Sequence, residues 1–140
     1  LTHYLDTSVL VALLTPEVQS NEVESWLSAH PSSLATSDWT VTEFSSALSI
    51  KLRTGQIEDV HRAAALTAFF ALLGGALRLM PLTRVHFENA ARIVDRQESG
   101  LRAGDALHLA VAREAAAELV TLDKLQAQAA TSIGVTAHLI

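Results

Sequence analysis

A chain of 140 residues with 49% hydrophobic and 18% charged residues is too apolar for a disordered segment, and a chain of that size buries roughly 68–70% of its unfolded surface, enough for one domain with its own core. Its net charge of −5 argues against holding nucleic acid through a broad basic surface, but leaves open a nuclease whose local positive field comes from metal ions and a few arginines. The absence of cysteine excludes a disulfide framework, a cysteine-based zinc site and a thiol nucleophile, and is compatible with an intracellular, cytoplasmic setting.

The pattern begins with a short strand over Thr2–Leu5 and a helix over Ser8–Leu14. Pro16 is expected to open a second helix running to about Ala29, with Val18, Val23, Trp26 and Leu27 as an approximate apolar stripe. Ser33–Thr36 reads as a second strand, and Thr42–Arg53 as a helix that stops at Gly55. Asp38 is assigned to capping that helix near Val41. Glu58 and Asp59 open an alanine-rich helix that ends at Gly74-Gly75. Leu77–Leu82 is strand-like, and Thr83 is an N-cap for the helix carrying Phe87, Ala90, Ala91, Ile93 and Val94. Gly104 leads into a helix with Asp105 in its first turn. A strand over Glu118–Leu122, a short helix over Lys124–Ala130 and a last strand over Val135–Ile140 complete the chain.

No repeat, low-complexity tract or linker divides the sequence, so residues 1–140 are read as a single domain. The longest apolar stretch, Ala63–Leu77, is interrupted by Thr67 and the glycine pair and falls short of the roughly 20 residues a membrane span needs. The first residues enter a strand directly, without a visible secretion signal. Strands alternating with helices predict an α/β layered fold with a mostly parallel sheet, whose ligand sites lie beyond the carboxyl ends of the strands.

Four acids draw attention in that frame. Asp6 in Tyr-Leu-Asp-Thr-Ser and Asp123 in Thr-Leu-Asp-Lys directly follow short apolar strands. Glu43 in Val-Thr-Glu-Phe and Asp105 in Ala-Gly-Asp-Ala-Leu-His are placed near helix N-termini, where unpaired N–H groups favour an anion. Taken singly, each is explained by a cap or a surface charge. Brought together they require a cation or protons, because two carboxylates about 4 Å apart repel by about 4 kcal/mol at an effective dielectric near 20. Oxygen-only donors suit hard ions such as Mg²⁺ or Mn²⁺.

In order and spacing, Leu5-Asp6-Thr7-Ser8, Thr42-Glu43-Phe44, Gly104-Asp105-Ala106-Leu107-His108 and Thr121-Leu122-Asp123 resemble the PIN-domain family, and within it the VapC-type toxins of toxin–antitoxin pairs. The resemblance spans nearly the whole chain. It implies a three-layer α/β fold, a Mg²⁺- or Mn²⁺-dependent endoribonuclease of a type II toxin–antitoxin system, a small antitoxin protein as partner, and often a homodimer. It further implies Asp6 and Asp105 as main metal ligands, Glu43 as the third acid and Asp123 in the more variable fourth place. Ser8 and Thr121 match positions whose hydroxyls orient the acids or a metal-bound water.

Around these acids, Arg102 and Lys124 are candidates for RNA contact, each lying within three residues of a site acid. His108 shares a helix face with Asp105 but sits among Leu107, Leu109 and Val111, which favours a packed, hydrogen-bonded histidine over a metal ligand. The other histidines show no paired spacing. Phe44, Leu48 and Leu52 recur at helical spacing and fit core packing, or else a groove for an antitoxin segment. The alanine-rich helix over Val60–Leu73, or the segment with Phe87, Ala91 and Val94, could supply a homodimer face. A phosphatase using Asp6 as nucleophile is disfavoured because Ser8 stands where a haloacid-dehalogenase-like enzyme needs a second Asp. A non-catalytic PIN-like RNA- or protein-binding module is the remaining alternative, though concentrated negative charge beside phosphates does not serve pure binding.

Overall fold

The computed structural model describes residues 1–96 and 100–140. The elements are β1 (Thr2–Leu5), α1 (Thr7–Leu14), α2 (Ser20–Ala29), β2 (Ser33–Ser37), α3 (Asp38–Arg53), α4 (Asp59–Leu73), β3 (Leu77–Met80), α5 (Arg84–Arg96), α6 (Ala103–Glu114), β4 (Glu118–Thr121), α7 (Lys124–Ser132) and β5 (Ala137–Leu139). The five strands pair in the order β3-β2-β1-β4-β5, every pair parallel. Parallel neighbours cannot be joined by hairpins, and the intervening helices are the crossovers that this pairing demands.

Alternation along the central strands divides the core into two layers. Tyr4 and Leu119 pack with Ala90 and Ile93 of α5, with Leu107, Leu109 and Ala110 of α6, and with Ala129 and Ala130 of α7. Leu5 and Val120 face the other way, onto Val9 and Leu10 of α1, Phe44 and Leu48 of α3, and Phe69 of α4. Helices therefore cover both faces of the sheet, as the near-continuous apolar character of β1 and β4 requires. Among the described residues, no helix is long and apolar enough to cross a membrane.

Four local expectations change, the first being that the third strand ends at Met80 rather than Leu82. The second helix starts at Ser20 rather than Pro16, because the Ser20 hydroxyl accepts from Glu17 N–H and donates to the Thr15 carbonyl, closing a turn ahead of it. Helix α3 starts four residues before Thr42, at Asp38. Asp38 is thus inside the helix, and its carboxylate accepts from Leu82 N–H instead of capping. The last strand shortens to Ala137–Leu139. At the far end of α3, Gly55 takes a left-handed φ of 73°, a conformation glycine adopts without a Cβ penalty and one that turns the chain out of the helix.

Phe44 and Leu48 are completely buried, and the Phe44 ring lies 4.4 Å from that of Phe69. They are core residues, so the groove drawn through Phe44, Leu48 and Leu52 is not an open surface; Leu52 packs at the margin of the same cluster. Truncating a buried phenylalanine costs about 3–5 kcal/mol, which makes packing the sufficient reason for its place in the sequence.

Candidate active site

Asp6, Glu43, Asp105 and Asp123 line one cleft of about 150 Å³, together with Thr7, Ser8, Arg102, His108 and Gln126. Four elements supply the acids. Asp6 follows β1 and caps α1, and Asp123 follows β4 and caps α7. Because β1 and β4 are parallel neighbours, their carboxyl ends emerge side by side. Glu43 comes from the second turn of α3 rather than its N-terminus, and Asp105 from the first turn of α6. Capping and site membership coincide at Asp6 and Asp123. One oxygen of Asp123 accepts from Leu125 and Gln126 N–H, leaving the other toward Arg102.

Asp6 is held from three sides. Val9 N–H and the Ser8 hydroxyl donate to Oδ1, the latter at 2.6 Å, and the Thr121 hydroxyl donates to Oδ2 at 2.5 Å. Each hydroxyl is itself fixed by a backbone amide, Ser8 Oγ by Leu122 N–H and Thr121 Oγ1 by Asp123 N–H. With those lone pairs occupied, both hydroxyl protons point at the carboxylate. Asp6 is only 2% exposed. Burial raises its pKa, against the lowering influence of His108, Ser8 and Thr121.

Glu43 behaves oppositely. Burial pushes it up, but the His108 hydrogen bond and charge, with the Thr7 hydroxyl, outweigh that and hold it below the usual glutamate range. Thr7 donates to Oε1 at 2.6 Å, and His108 Nε2 lies 2.5 Å from the same oxygen. His108 Nδ1 meets the Tyr4 hydroxyl at 2.7 Å, and Tyr4 meets Ser37 at 2.7 Å. An ionised Glu43 accepts from a protonated Nε2, while Nδ1 shares its hydrogen bond with the Tyr4 hydroxyl, which in turn bonds Ser37. Both ring nitrogens are spent inside the protein. His108 is a packed, hydrogen-bonded histidine, and no imidazole of this cleft is left for a metal.

Burial also raises the pKa of Asp105, with Asp123 adding to the rise and Arg102 opposing it. Arg102 is 80% exposed and spans both acids, Nε 3.3 Å from Asp105 and Nη2 3.8 Å from Asp123. Lys124 is exposed at the start of α7 and is not among the residues lining the cleft. Two features were not foreseen from sequence. A Cβ on Gly104 would come within 3.0 Å of Glu43 Oε2 and of Trp39 Nε1, so this glycine is what lets α6 approach α3. Trp39 Nε1 is buried without a hydrogen-bond partner among the described residues, and its N–H dipole adds to the influences that favour the charged form of Glu43.

The donor set tests whether a cation fits. Four carboxylates, one largely solvated guanidinium and no free imidazole make an oxygen-only, net-negative cleft, which suits a hard divalent ion. The raised pKa values of Asp6 and Asp105 mark the charge that such an ion would offset.

The model of the PIN domain family matches residues 3–131. No curated protein matches the sequence. Among solved structures, the chain resembles VapC20 of Mycobacterium tuberculosis, described as a sarcin–ricin loop cleaving toxin, with 18% identity, a TM-score of 0.73 and coverage of 99% of this chain and 98% of that one. It resembles PAE2754 of Pyrobaculum aerophilum at 23% identity and TM-score 0.68, covering 98% and 83%. It also resembles VapBC2 of Rickettsia felis, solved with a DNA fragment of its promoter, at 16% identity and TM-score 0.67, covering 99% and 98%. The all-parallel sheet, the helices on both its faces and the family match over nearly the whole length lead to one assignment: the chain belongs to the PIN domain family.

Proposed function

We propose that the protein is a metal-dependent endoribonuclease, the toxin of a type II toxin–antitoxin pair, built as a single PIN unit and acting in the cytoplasm. The observation that carries this reading is the meeting of four acids from four separate elements in one oxygen-only cleft at the carboxyl edge of the sheet. The toxin and antitoxin descriptions of the structural neighbours support the same direction.

Asp6 and Asp105 would hold Mg²⁺ or Mn²⁺ directly, with Glu43 and Asp123 completing the acid set. Such an ion supplies an activated water, a grip on the scissile phosphate and compensation for charge on the attacking and leaving oxygens. The chain's own residues do the rest. Ser8 and Thr121 fix the Asp6 oxygens in direction. The depressed pKa of Glu43 makes it a poor proton acceptor and a durable negative charge, so its role is to hold and orient rather than to act as a strong base. Arg102, free to swing from Asp105 and Asp123, offers a planar fork to an RNA phosphate.

The antitoxin would bind the open groove beside the cleft, lined by Thr7, Ser8, Val11, Ala47, Ile50 and Lys51. A homodimer would cover the exposed Val60 and Phe70 of α4 or Phe87 of α5; a monomer at micromolar concentration in sedimentation removes that part of the proposal. Antitoxin-free protein incubated with total cellular RNA and Mg²⁺ or Mn²⁺ is expected to give discrete fragments, lost with chelator and with Asp6→Asn. Folded, metal-bound protein that cuts no RNA would instead favour a non-catalytic binding module.

A further inference from the structure

We propose that the protein carries a second metal site, distinct in chemistry and position from the acid cleft, formed by His3, Glu118 and His138 for a borderline divalent ion of the Zn²⁺ class.

Strand register assembles this group. His3 pairs with Glu118 across β1 and β4, and Val120 pairs with His138 across β4 and β5. Side chains two apart share a face, so Glu118 lies on the face of Val120 and all three groups project to the same side. His3 Nε2 is 3.6 Å from Glu118 Oε2, and His138 Nε2 is 2.6 Å from that same oxygen. The three ligand atoms lie within 4.8 Å of one another, and among the described residues no other three His or acid side chains come so close. Tetrahedral ligands at the bond lengths of Zn²⁺ stand about 3.3 Å apart, so modest adjustment would admit the ion.

An ordinary Glu118–His138 pair explains only part of this. His3 Nε2 is beyond hydrogen-bond reach of Glu118 yet is aimed at the same oxygen. Its other nitrogen, Nδ1, lies 2.7 Å from Ser32 Oγ, the kind of outer partner that fixes the tautomer and direction of a metal-binding imidazole. Trp26 covers both rings, with centroids 5.0 Å from His3 and 5.2 Å from His138. Glu118 and His138 remain about one-third exposed, leaving an approach for the ion and an open position for water. Two imidazoles and a carboxylate suit Zn²⁺ or Co²⁺ and not Mg²⁺, the reverse of the acid cleft. Bound there, the ion would clamp the three-residue edge strand β5 to β4 and β1.

The test uses the full chain carrying Asp6→Asn and Asp105→Asn, so that binding in the acid cleft is removed, with circular dichroism to check the fold. Zn²⁺ is titrated by calorimetry, Co²⁺ by visible absorption, and Tm is read with each. One equivalent should bind, Co²⁺ should develop the intense visible bands of a low-coordinate site, and Tm should rise with Zn²⁺ but not with Mg²⁺. His138→Gln and Glu118→Gln, both at part-exposed positions, should each weaken Zn²⁺ binding by roughly a factor of ten or more and abolish the Tm rise. If the doubly substituted chain does not fold, the wild-type chain in saturating Mg²⁺ replaces it. Absence of Zn²⁺ binding, or equal affinity after His138→Gln and Glu118→Gln, would overturn the site. In the chain that retains Asp6 and Asp105, RNA cleavage in Mg²⁺ is expected to survive His138→Gln and Glu118→Gln, so failure here and failure of the nuclease reading are separable.

Discussion

His108 Nε2 lies 2.5 Å from Glu43 Oε1, tying α6 to α3 across the cleft. His108→Ala removes a buried partner from both Glu43 and Tyr4 and should destabilise the fold by at least about 1–3 kcal/mol in urea melts. Glu43 has a depressed folded pKa, so its contribution is present above the unfolded value, about pH 4.3, and is lost as pH falls through the folded value. The gap between wild type and variant should narrow in that acidic window. A gap independent of pH would show that cavity formation alone is responsible.

Asp105→Asn should stabilise the metal-free protein. The folded pKa of Asp105 is raised, chiefly by burial, so its favourable contribution exists below the unfolded value near pH 3.9 and is lost as pH rises through the folded value. At pH 7 the asparagine should be the more stable of the two. The advantage should disappear below about pH 4, and saturating Mn²⁺ should reverse it by stabilising the wild type alone. Chemical denaturation across pH, with and without Mn²⁺, measures all three.

Thr121→Val keeps shape but deletes the hydroxyl that donates to Asp6 and accepts from Asp123 N–H. Loss of such an outer partner should lower Mn²⁺ affinity or cleavage by about 10–100-fold. Calorimetry and single-turnover cleavage are the readouts, and Ser8→Ala should move them in the same direction.

Gly104→Ala should separate stability from activity. Alanine favours the helix by about 1 kcal/mol, while its Cβ would press on Glu43 and Trp39 at 3.0 Å. Tm should change little, and cleavage should fall as Glu43 is displaced.

Arg102→Ala should act in two directions, because the guanidinium now sits on two acids. Mn²⁺ should bind more tightly once the competing charge is gone, whereas RNA should bind more weakly. Lys124→Ala, outside the cleft lining, should have the smaller effect on both.

What could be read from the sequence follows from locality. Asp6 and Asp123 are recognisable because each ends a short apolar strand, and the parallel sheet then delivers both to one edge. The early start of α3 was hidden because Trp39 and Thr40 carry no helical preference of their own, and tertiary contacts such as Asp38 with Leu82 N–H hold that turn. Helical spacing at Phe44 and Leu48 correctly marks one face of α3, but spacing cannot say whether core or partner covers it. The His3, Glu118 and His138 group was invisible because it depends on strand register between distant segments. Gly104 looked like a helix entry, while its close approach to Glu43 is a property of packing.

The bond from Thr121 to Asp6 joins positions 115 residues apart. Closing a loop of that length costs chain entropy before the contact can form, and synthesis makes β1 well before β4. A truncated nascent chain therefore has Asp6 without its anchor and lacks Asp123 altogether. The four acids can meet in one cleft only after β4 has been made and has docked beside β1.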